Sequence, residues 1–235
     1  MAVFSGAEIV NNGLVLHLDA GNNRSYPGSG TTWYDLSGLN NNGTLGASTT
    51  FDSSGYMNFG GNGSNTEAVV STVELNTTAG QGNTVEQWIY SAGRQSAGNM
   101  PFTFYNIDLD LWFNADLFGI NNGASLVYGI TNADAIFVGK WVHVVVYFPF
   151  SWSSDYLNAK MWINGAAQSM AVRQGSLGTK VVSSSQTVGI GGGFTNGIDT
   201  YNWNGRISLT RIYNRQLSND EVIKNFEATR GRYGI

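Results

Sequence analysis

Two aspartates, Asp108 and Asp110, come closest in this sequence to the spacing of a catalytic pair. They stand two positions apart in the run Ile107-Asp-Leu-Asp-Leu-Trp112. Residues so spaced in a β-strand project from one face, and two carboxyl groups about 5 Å apart can act as acid and nucleophile in glycoside hydrolysis. Alternation in an amphipathic strand places aspartates on the solvent side without any catalytic role. We therefore expect no enzyme, and endo-acting glycoside hydrolysis is kept as a minority alternative.

Four aromatic residues in two polar loop segments point to binding instead. They are Trp152 and Tyr156 in Phe150-Ser-Trp-Ser-Ser-Asp-Tyr156, and Tyr201 and Trp203 in Thr195-Asn-Gly-Ile-Asp-Thr-Tyr-Asn-Trp203. Exposed rings of this kind stack on sugar faces, and Trp and Tyr are also enriched in protein–protein interfaces. Loop aromatics can equally fold back as lids on the edge of a sandwich. All three readings stay open, and these four are the candidate glycan- or partner-binding residues.

The other chemically versatile residues lack partners at a useful spacing. His17 and His143 lie inside apolar strands with no Cys or His at zinc-ligand spacing, so we expect packed or paired strand residues. The glycines of Gly189-Ile-Gly-Gly-Gly193 are not followed by the helix that a phosphate-binding loop needs.

The elements that must position these groups are short strands. The chain has 31 Gly, 3 Pro and 12% charged residues, a mix that favours strands joined by tight turns. We predict strands at Leu14–Leu18, Tyr56–Phe59, Ala68–Val73, Thr84–Tyr90, Phe102–Tyr105, Leu109–Phe113, Trp141–Phe148, Lys160–Ile163, Ala166–Val172, Val188–Gly193 and Arg206–Tyr213. Asn164-Gly165 predicts a tight hairpin. The segment Asn22–Thr50 reads as a long ordered loop pinned by Trp33, Tyr34 and Leu36.

The last strand leads into a closing helix. Alternation in Arg206–Tyr213 places Ile207, Leu209, Arg211 and Tyr213 on one face. Ser218 and, three residues on, Glu221 form a capping-box pattern. It predicts a helix over residues 218–229, with Val222, Ile223 and Phe226 as its apolar stripe.

Length and charge exclude several classes of protein. No linker or repeat divides the 235 residues, so we predict a single domain over 1–235 with residues 1–12 as an N-terminal arm. The net charge is −4 and the 12 basic residues are scattered, which argues against nucleic acid. There is no run of 18 apolar residues and no signal-peptide pattern, so no membrane insertion is expected. The absence of cysteine fits folding in a reducing cytoplasm.

Seven segments carry a family resemblance. They are Gly13-Leu-Val-Leu-His-Leu-Asp-Ala20, Trp33-Tyr-Asp-Leu-Ser-Gly38, Asn41-Asn-Gly-Thr-Leu45, Thr84-Val-Glu-Gln-Trp-Ile-Tyr90, Lys140-Trp-Val-His-Val144, Trp162-Ile-Asn-Gly165 and Asn204–Glu221. In this order they resemble the laminin-G-like domains of the concanavalin A-like lectin-glucanase superfamily, from about Asn11 to about Thr229. The resemblance implies an all-β fold: a jelly-roll sandwich of two antiparallel sheets, first and last strands adjacent, and one short C-terminal helix.

The resemblance also bears on chemistry. Related glucanases carry the motif Glu-x-Asp-x-x-Glu. Here Asn106 occupies the first position of that motif, and no Glu occupies the last. Glu86 matches a structural polar residue of a central strand in the family, so an internal hydrogen bond is expected. Relatives often hold Ca²⁺ at a loop rim, and aspartates near predicted loops are Asp19, Asp35, Asp52, Asp116, Asp134, Asp155 and Asp199. Their spacing is not diagnostic, so calcium stays open with no ligand assigned.

A narrower resemblance involves both ends of the chain. The segments Met1–His17, Ser25–Trp33 and Asn225–Ile235 look like virion proteins of tailed, often marine, bacteriophages. This implies a non-enzymatic structural component of a virion, on the capsid or tail, with other virion proteins as partners in multiple copies. A carbohydrate-binding module for adsorption to host or environmental glycans is the alternative.

Overall fold

The computed structural model describes residues 8–61, 63, 65–95, 98–104, 109–121, 127–149, 156–175, 185–193 and 201–235. Within these ranges the strands are β1 (Leu14–Asp19), β2 (Thr32–Trp33), β3 (Gly43–Leu45), β4 (Thr50–Asp52), β5 (Tyr56–Gly60), β6 (Ala68–Glu74), β7 (Gly82–Ser91), β8 (Asn99–Phe104), β9 (Leu109–Asn114), β10 (Leu117–Asn121), β11 (Val127–Thr131), β12 (Trp141–Pro149), β13 (Lys160–Ile163), β14 (Ala166–Ala167), β15 (Ala171–Gln174), β16 (Ser185–Ile190) and β17 (Asn204–Tyr213). The helices are α1 (Ala133–Phe137) and α2 (Asn219–Thr229), and 3₁₀ turns lie at Tyr156–Asn158 and Arg230–Tyr233. No helix in these ranges is both long and apolar enough to cross a membrane.

The strands form two sheets whose named pairs are antiparallel. Sheet A has the order β14-β13-β12-β7-β17-β5-β4, with β1 also paired to β17. Sheet B has the order β15-β11-β10-β9-β8-β16-β6-β3-β2. The first and last strands are therefore adjacent, and the predicted concanavalin A-like jelly-roll sandwich is confirmed.

The main core fills the space between the sheets. Val85 and Ile89 of β7 point into it, while Glu86 and Trp88 between them face outward, as alternation predicts. Large side chains that are fully buried in this core include Trp33, Phe102, Phe113, Phe118 and Phe137. Truncating such a ring typically costs about 3–5 kcal/mol, so the sandwich is a rigid frame for its surface groups.

The hairpin at Asn164-Gly165 is confirmed, but the strand predicted after it is wrong. Asn164 and Gly165 have φ of 50° and 79°, the left-handed pair of a type I′ turn. The predicted strand Ala166–Val172 divides instead, because β14 pairs with β13 in sheet A and β15 pairs with β11 in sheet B. The chain changes sheets between them.

A bulge in β17 corrects the predicted faces of the last strand. Ile207 pairs with Ile89 and Leu209 with Trp88, so Ser208 is an extra residue between two neighbouring pairs. The Ser208 hydroxyl donates to the Gly55 carbonyl at 2.6 Å. Ile207 consequently points into the core, whereas Leu209 lies on the outer face of sheet A.

The segment predicted as a loop from Asn22 to Thr50 contains the short strands β2 and β3. Trp33 is completely buried and anchors the segment as expected. Tyr34 is 45% exposed and therefore does not pin it.

Helix α2 closes the outer face of sheet A. Ser218 accepts the Glu221 N–H and Glu221 accepts the Ser218 N–H, so the predicted capping box is confirmed. Val222 and Phe226 are buried against the sheet, whereas Ile223 is 45% exposed and lies off the predicted stripe. The N-terminal segment joins here, since the Val10 N–H donates to Asn225 Oδ1 at 2.8 Å.

Candidate functional site

An aromatic pair, Trp112 and Tyr201, lies on the outer face of sheet B. Leu111 and Phe113 of β9 point into the core, so Trp112 between them points outward. The two rings meet edge-on, with centroids 5.0 Å apart and planes at 64°, and both residues are partly exposed. A Cβ at Gly98 would overlap the Trp112 ring, so a glycine is required for its position. The pair is thus a fixed, accessible aromatic surface.

A charged cleft of about 790 Å³ adjoins this pair. We call this feature the cleft, and its polar lining residues are Arg94, Gln95, Asn114, Asp134 and Lys140. Asn114 is two residues beyond Trp112 in β9 and therefore lies on the same face, about 7 Å away. Trp112 and one lining residue of the cleft therefore share a face of β9.

Backbone turns and side-chain caps position the charged residues of the cleft. The N–H of Asp134 in α1 donates to Asp116 Oδ1 at 2.8 Å, and Lys140 Nζ donates to the Ala135 carbonyl at 2.7 Å. Ala115 and Asp116, in the turn between β9 and β10, have left-handed φ of 49° and 62°. A left-handed conformation costs a residue with a Cβ roughly 1–2 kcal/mol. The turn beside the cleft is therefore formed at a cost in backbone strain.

The electrostatics of the cleft are those of a solvated surface. Arg94 Nε lies 2.6 Å from Asp134 Oδ1, and each side chain is 38% exposed. The two terminal nitrogens of Arg94 form no hydrogen bond with the described residues, and Lys140 is exposed. The lining of the cleft therefore places two cations beside one carboxylate, with Arg94 in ion-pair contact with it.

The four aromatic residues predicted from the sequence as binding residues occupy different environments. Tyr201 belongs to the aromatic pair. Tyr156 is partly buried against the core and meets Tyr128 edge-on at 5.4 Å. Trp203 is completely buried and donates its indole N–H to the Tyr90 carbonyl at 3.2 Å, so its prediction as a contact residue is wrong. Trp152 lies outside the described residues.

Sequence reasoning missed Trp112, although the signal was present. Alternation in Leu109–Phe113 places Trp112 opposite three core residues, so an outward-facing indole could have been inferred. The predicted binding residues were all loop residues, whereas Trp112 lies in a strand.

Asp110 does not face solvent, contrary to the expectation for its strand. It is completely buried, and its Oδ2 accepts a hydrogen bond from Asn121 Nδ2 at 3.0 Å. Its neighbour Asp108 lies outside the described residues. The described part of the chain therefore contains no exposed carboxylate pair on this strand.

Glu86 anchors a buried network that we call the closing network: Glu86, His143, Arg211, Tyr213 and Asn225. Glu86 accepts hydrogen bonds from Arg211 at 2.8 Å and Asn225 at 2.7 Å, and lies 2.9 Å from His143 Nε2. Burial acts to raise the pKa of Glu86, but the Arg211 charge and the hydrogen bonds from His143 and Asn225 lower it to about 2. The expected internal hydrogen bond is confirmed, and this carboxylate joins sheet A to α2.

His17 is a packed strand residue. Its Nε2 is buried without a hydrogen-bond partner among the described residues. Burial, with the Arg211 charge second, lowers the pKa of His17 from 6.5 to about 4. The imidazole is therefore neutral at pH 7.

The loop aspartates serve separate structural roles. Asp35 accepts the N–H groups of His17, Ser37 and Asn41. Asp19 pairs with Arg232 through two contacts of 2.6 and 3.0 Å, and Asp52 accepts the Ser54 N–H. Asp155 and Asp199 lie outside the described residues. Across the part of the chain that the structure describes, no three His, Cys, Asp or Glu residues gather as metal ligands would, and no calcium ligand is assigned.

The fold and this surface define a lectin-like β-sandwich. The laminin-G-like model of the concanavalin A-like lectin/glucanases superfamily matches residues 61–223, and the chain belongs to this superfamily. No curated protein matches the chain.

Solved structures share the sandwich. The Trypanosoma rangeli sialidase in complex with sialic acid superposes with a TM-score of 0.65 at 14% identity, over 94% of this chain and 33% of that one. The botulinum neurotoxin serotype D binding domain gives 0.56 at 14% identity, over 94% and 53%. The chain spans about a third to a half of these proteins. At this identity the likeness shows the fold alone.

Proposed function

We propose that the chain is a non-enzymatic carbohydrate-binding module that contacts glycans through Trp112 and Tyr201. The aromatic pair carries the proposal, because a partly exposed indole fixed on a rigid sheet offers a ready face for a sugar ring. The edge-on Tyr201 ring holds that indole in place. The polar cleft next to it supplies hydrogen-bonding groups for sugar hydroxyls.

The state of the acids supports binding without hydrolysis. Glu86 is fully buried and engaged in the closing network, and Asp110 is fully buried beneath the outer face. A glycosidase needs two carboxyl groups that reach the substrate, and neither of these fully buried side chains is accessible to one. Hydrolysis of laminarin or agar that disappears in Asp108→Asn or Asp110→Asn would refute the non-enzymatic assignment.

A glycan array with and without EDTA tests the binding proposal. We expect binding that Trp112→Ala weakens by about 30-fold, the loss of one interface hot spot. Tyr34→Ala is the matched control, because Tyr34 is 45% exposed on the loop after β2 and remote from the pair. An array that stays blank in both conditions refutes the proposal, and the EDTA arm separates calcium-dependent from calcium-independent binding.

A second candidate is a structural component of a tailed-phage virion, on the capsid or tail. The resemblance of Met1–His17, Ser25–Trp33 and Asn225–Ile235 to virion proteins favours it. Many copies on one particle would add avidity to weak contacts. Mass spectrometry of purified particles tests this role: a high copy number indicates capsid, a handful indicates tail, and absence refutes it.

A further inference from the structure

We infer that the cleft binds the carboxylate of an acidic sugar, with Arg94 and Lys140 as its direct contacts. This inference rests on the proposed function and adds the class of glycan. It is carried by the position of two exposed cations beside a fixed aromatic ring.

The charge of the cleft differs from that of the chain. The whole protein carries −4, yet the lining of the cleft presents Arg94 and Lys140 beside the single carboxylate of Asp134. Asp134 Oδ1 lies 2.6 Å from Arg94 Nε but makes no hydrogen bond with the described residues, and Asp116, which accepts the Asp134 N–H, adds a second carboxylate beside the lining. The two cations therefore balance the nearby acids, and an anion at the cleft meets none of the net negative charge of the chain.

Arg94 keeps both terminal nitrogens for a ligand. Its Nε lies 2.6 Å from Asp134 Oδ1, and the two terminal nitrogens form no hydrogen bond with the described residues. An arginine in this state matches a carboxylate through two parallel N–H···O bonds. Asp134 is thus a positioning residue, itself held by Asp116.

Lys140 is held nearby in a similar way. Its Nζ donates one hydrogen to the Ala135 carbonyl at 2.7 Å, and an ammonium has two further hydrogens for a ligand. The hydrogen bond to the Ala135 carbonyl therefore keeps the Lys140 ammonium at the cleft.

The dimensions suit an oligosaccharide better than a lone ion. A volume of about 790 Å³ lies within the range of small-molecule sites. Trp112 and Asn114 share one face of β9 about 7 Å apart. A sugar stacked on Trp112 would therefore have its neighbouring unit, with the carboxylate, at the cleft.

Matched ligands test the inference directly. The probes are oligogalacturonate and its methyl ester, in which each carboxylate is replaced by an uncharged ester, together with sialylated, uronate-bearing and neutral glycans on one array. For the wild type we expect at least tenfold tighter binding of the acidic members at low salt, decreasing as salt rises. Arg94→Gln and Lys140→Gln should each remove about tenfold for acidic members only.

Controls separate the two proposals. Lys224→Gln removes one positive charge from an exposed position on α2, outside the lining of the cleft, and should leave binding unchanged. Trp112→Ala should weaken acidic and neutral ligands alike. Binding of neutral glycans only, or an acidic preference that persists in the Arg94→Gln/Lys140→Gln variant, overturns the inference while the proposed function stands. Binding to no glycan overturns both.

Discussion

Arg211 on the outer face of sheet A and Arg94 at the cleft each meet a carboxylate, at 2.8 and 2.6 Å. Arg211 and its partner Glu86 are 2% and 0% exposed, whereas Arg94 and Asp134 are each 38% exposed. The two ion pairs have similar distances but differ in their exposure to solvent. Burial turns the first pair into a structural requirement, and exposure leaves the second free to exchange partners.

The aromatic residues follow the same division. Trp88 on sheet A stacks on Tyr233 with centroids 3.8 Å apart and donates its indole N–H to Thr229 at 2.8 Å. Trp112 on sheet B keeps part of its ring exposed. A tryptophan covered by the chain's own C-terminal segment stabilises the fold, whereas one left open can receive a ligand.

The largest effect should come from breaking the closing network. Arg211→Met leaves the Glu86 carboxylate buried without its main counter-charge, and we expect a loss of about 3–5 kcal/mol in the free energy of unfolding. Urea denaturation measures it. The double variant Glu86→Leu/Arg211→Met removes both charges and should recover part of that loss. If it is no more stable than Arg211→Met, packing rather than the unpaired charge explains the effect.

Acidification should lower the free energy of unfolding in two separable steps, one from His17 and one from Glu86. The pKa of His17 is about 4 in the fold, against 6.5 for an unperturbed histidine, so the unfolded chain binds the proton more readily. Its contribution to stability is complete above pH 6.5 and is lost as pH falls towards 4, about 3 kcal/mol in all. Glu86 acts lower, because its pKa is lowered to about 2 and its contribution is lost as pH falls below 4.5.

Denaturation midpoints measured between pH 7 and pH 4.5 isolate the histidine step. In His17→Gln the slope of stability over this window should decrease. An unchanged slope would show that His17 does not account for it.

A smaller effect is expected at the start of α2. Ser218→Ala removes the acceptor of the Glu221 N–H, a change that costs about 1 kcal/mol at an N-cap. Thermal unfolding measures it, with Ser53→Ala in the exposed turn after β4 as the control. A loss as small as that of the control would mean that packing of α2 on sheet A, rather than the cap, fixes the helix start.

Features with a local cause were predictable from the sequence. The capping box of Ser218 and Glu221 and the Asn164-Gly165 turn depend on residues within four positions of each other. The bulge at Ser208 depends on pairing with β7 and on the distant Gly55 carbonyl, so simple alternation placed Ile207 on the wrong face. Burial of Trp203 likewise follows from contacts with Tyr90 and the core.

The cleft was beyond sequence reasoning for a similar reason. Arg94 follows β7, Asn114 ends β9, and Asp134 and Lys140 flank the short helix α1. Their proximity is a product of sheet topology, since no local pattern relates them. Of the proposed surface, only Tyr201 was predicted as a contact residue, and Asp134 was named only among the loop aspartates.

The smallest effect on stability should come from the exposed counterpart of the closing network. Arg94→Gln breaks an ion pair whose partners are each 38% exposed, and we expect a change within about 0.5 kcal/mol in the free energy of unfolding. Urea denaturation beside Arg211→Met compares the two arginines under one condition. A loss above about 1.5 kcal/mol for Arg94→Gln would mean that the cleft pair also stabilises the fold. The expected small loss means instead that the contact with Asp134 positions Arg94 without stabilising the fold, whereas the arginine on sheet A is required by the fold itself.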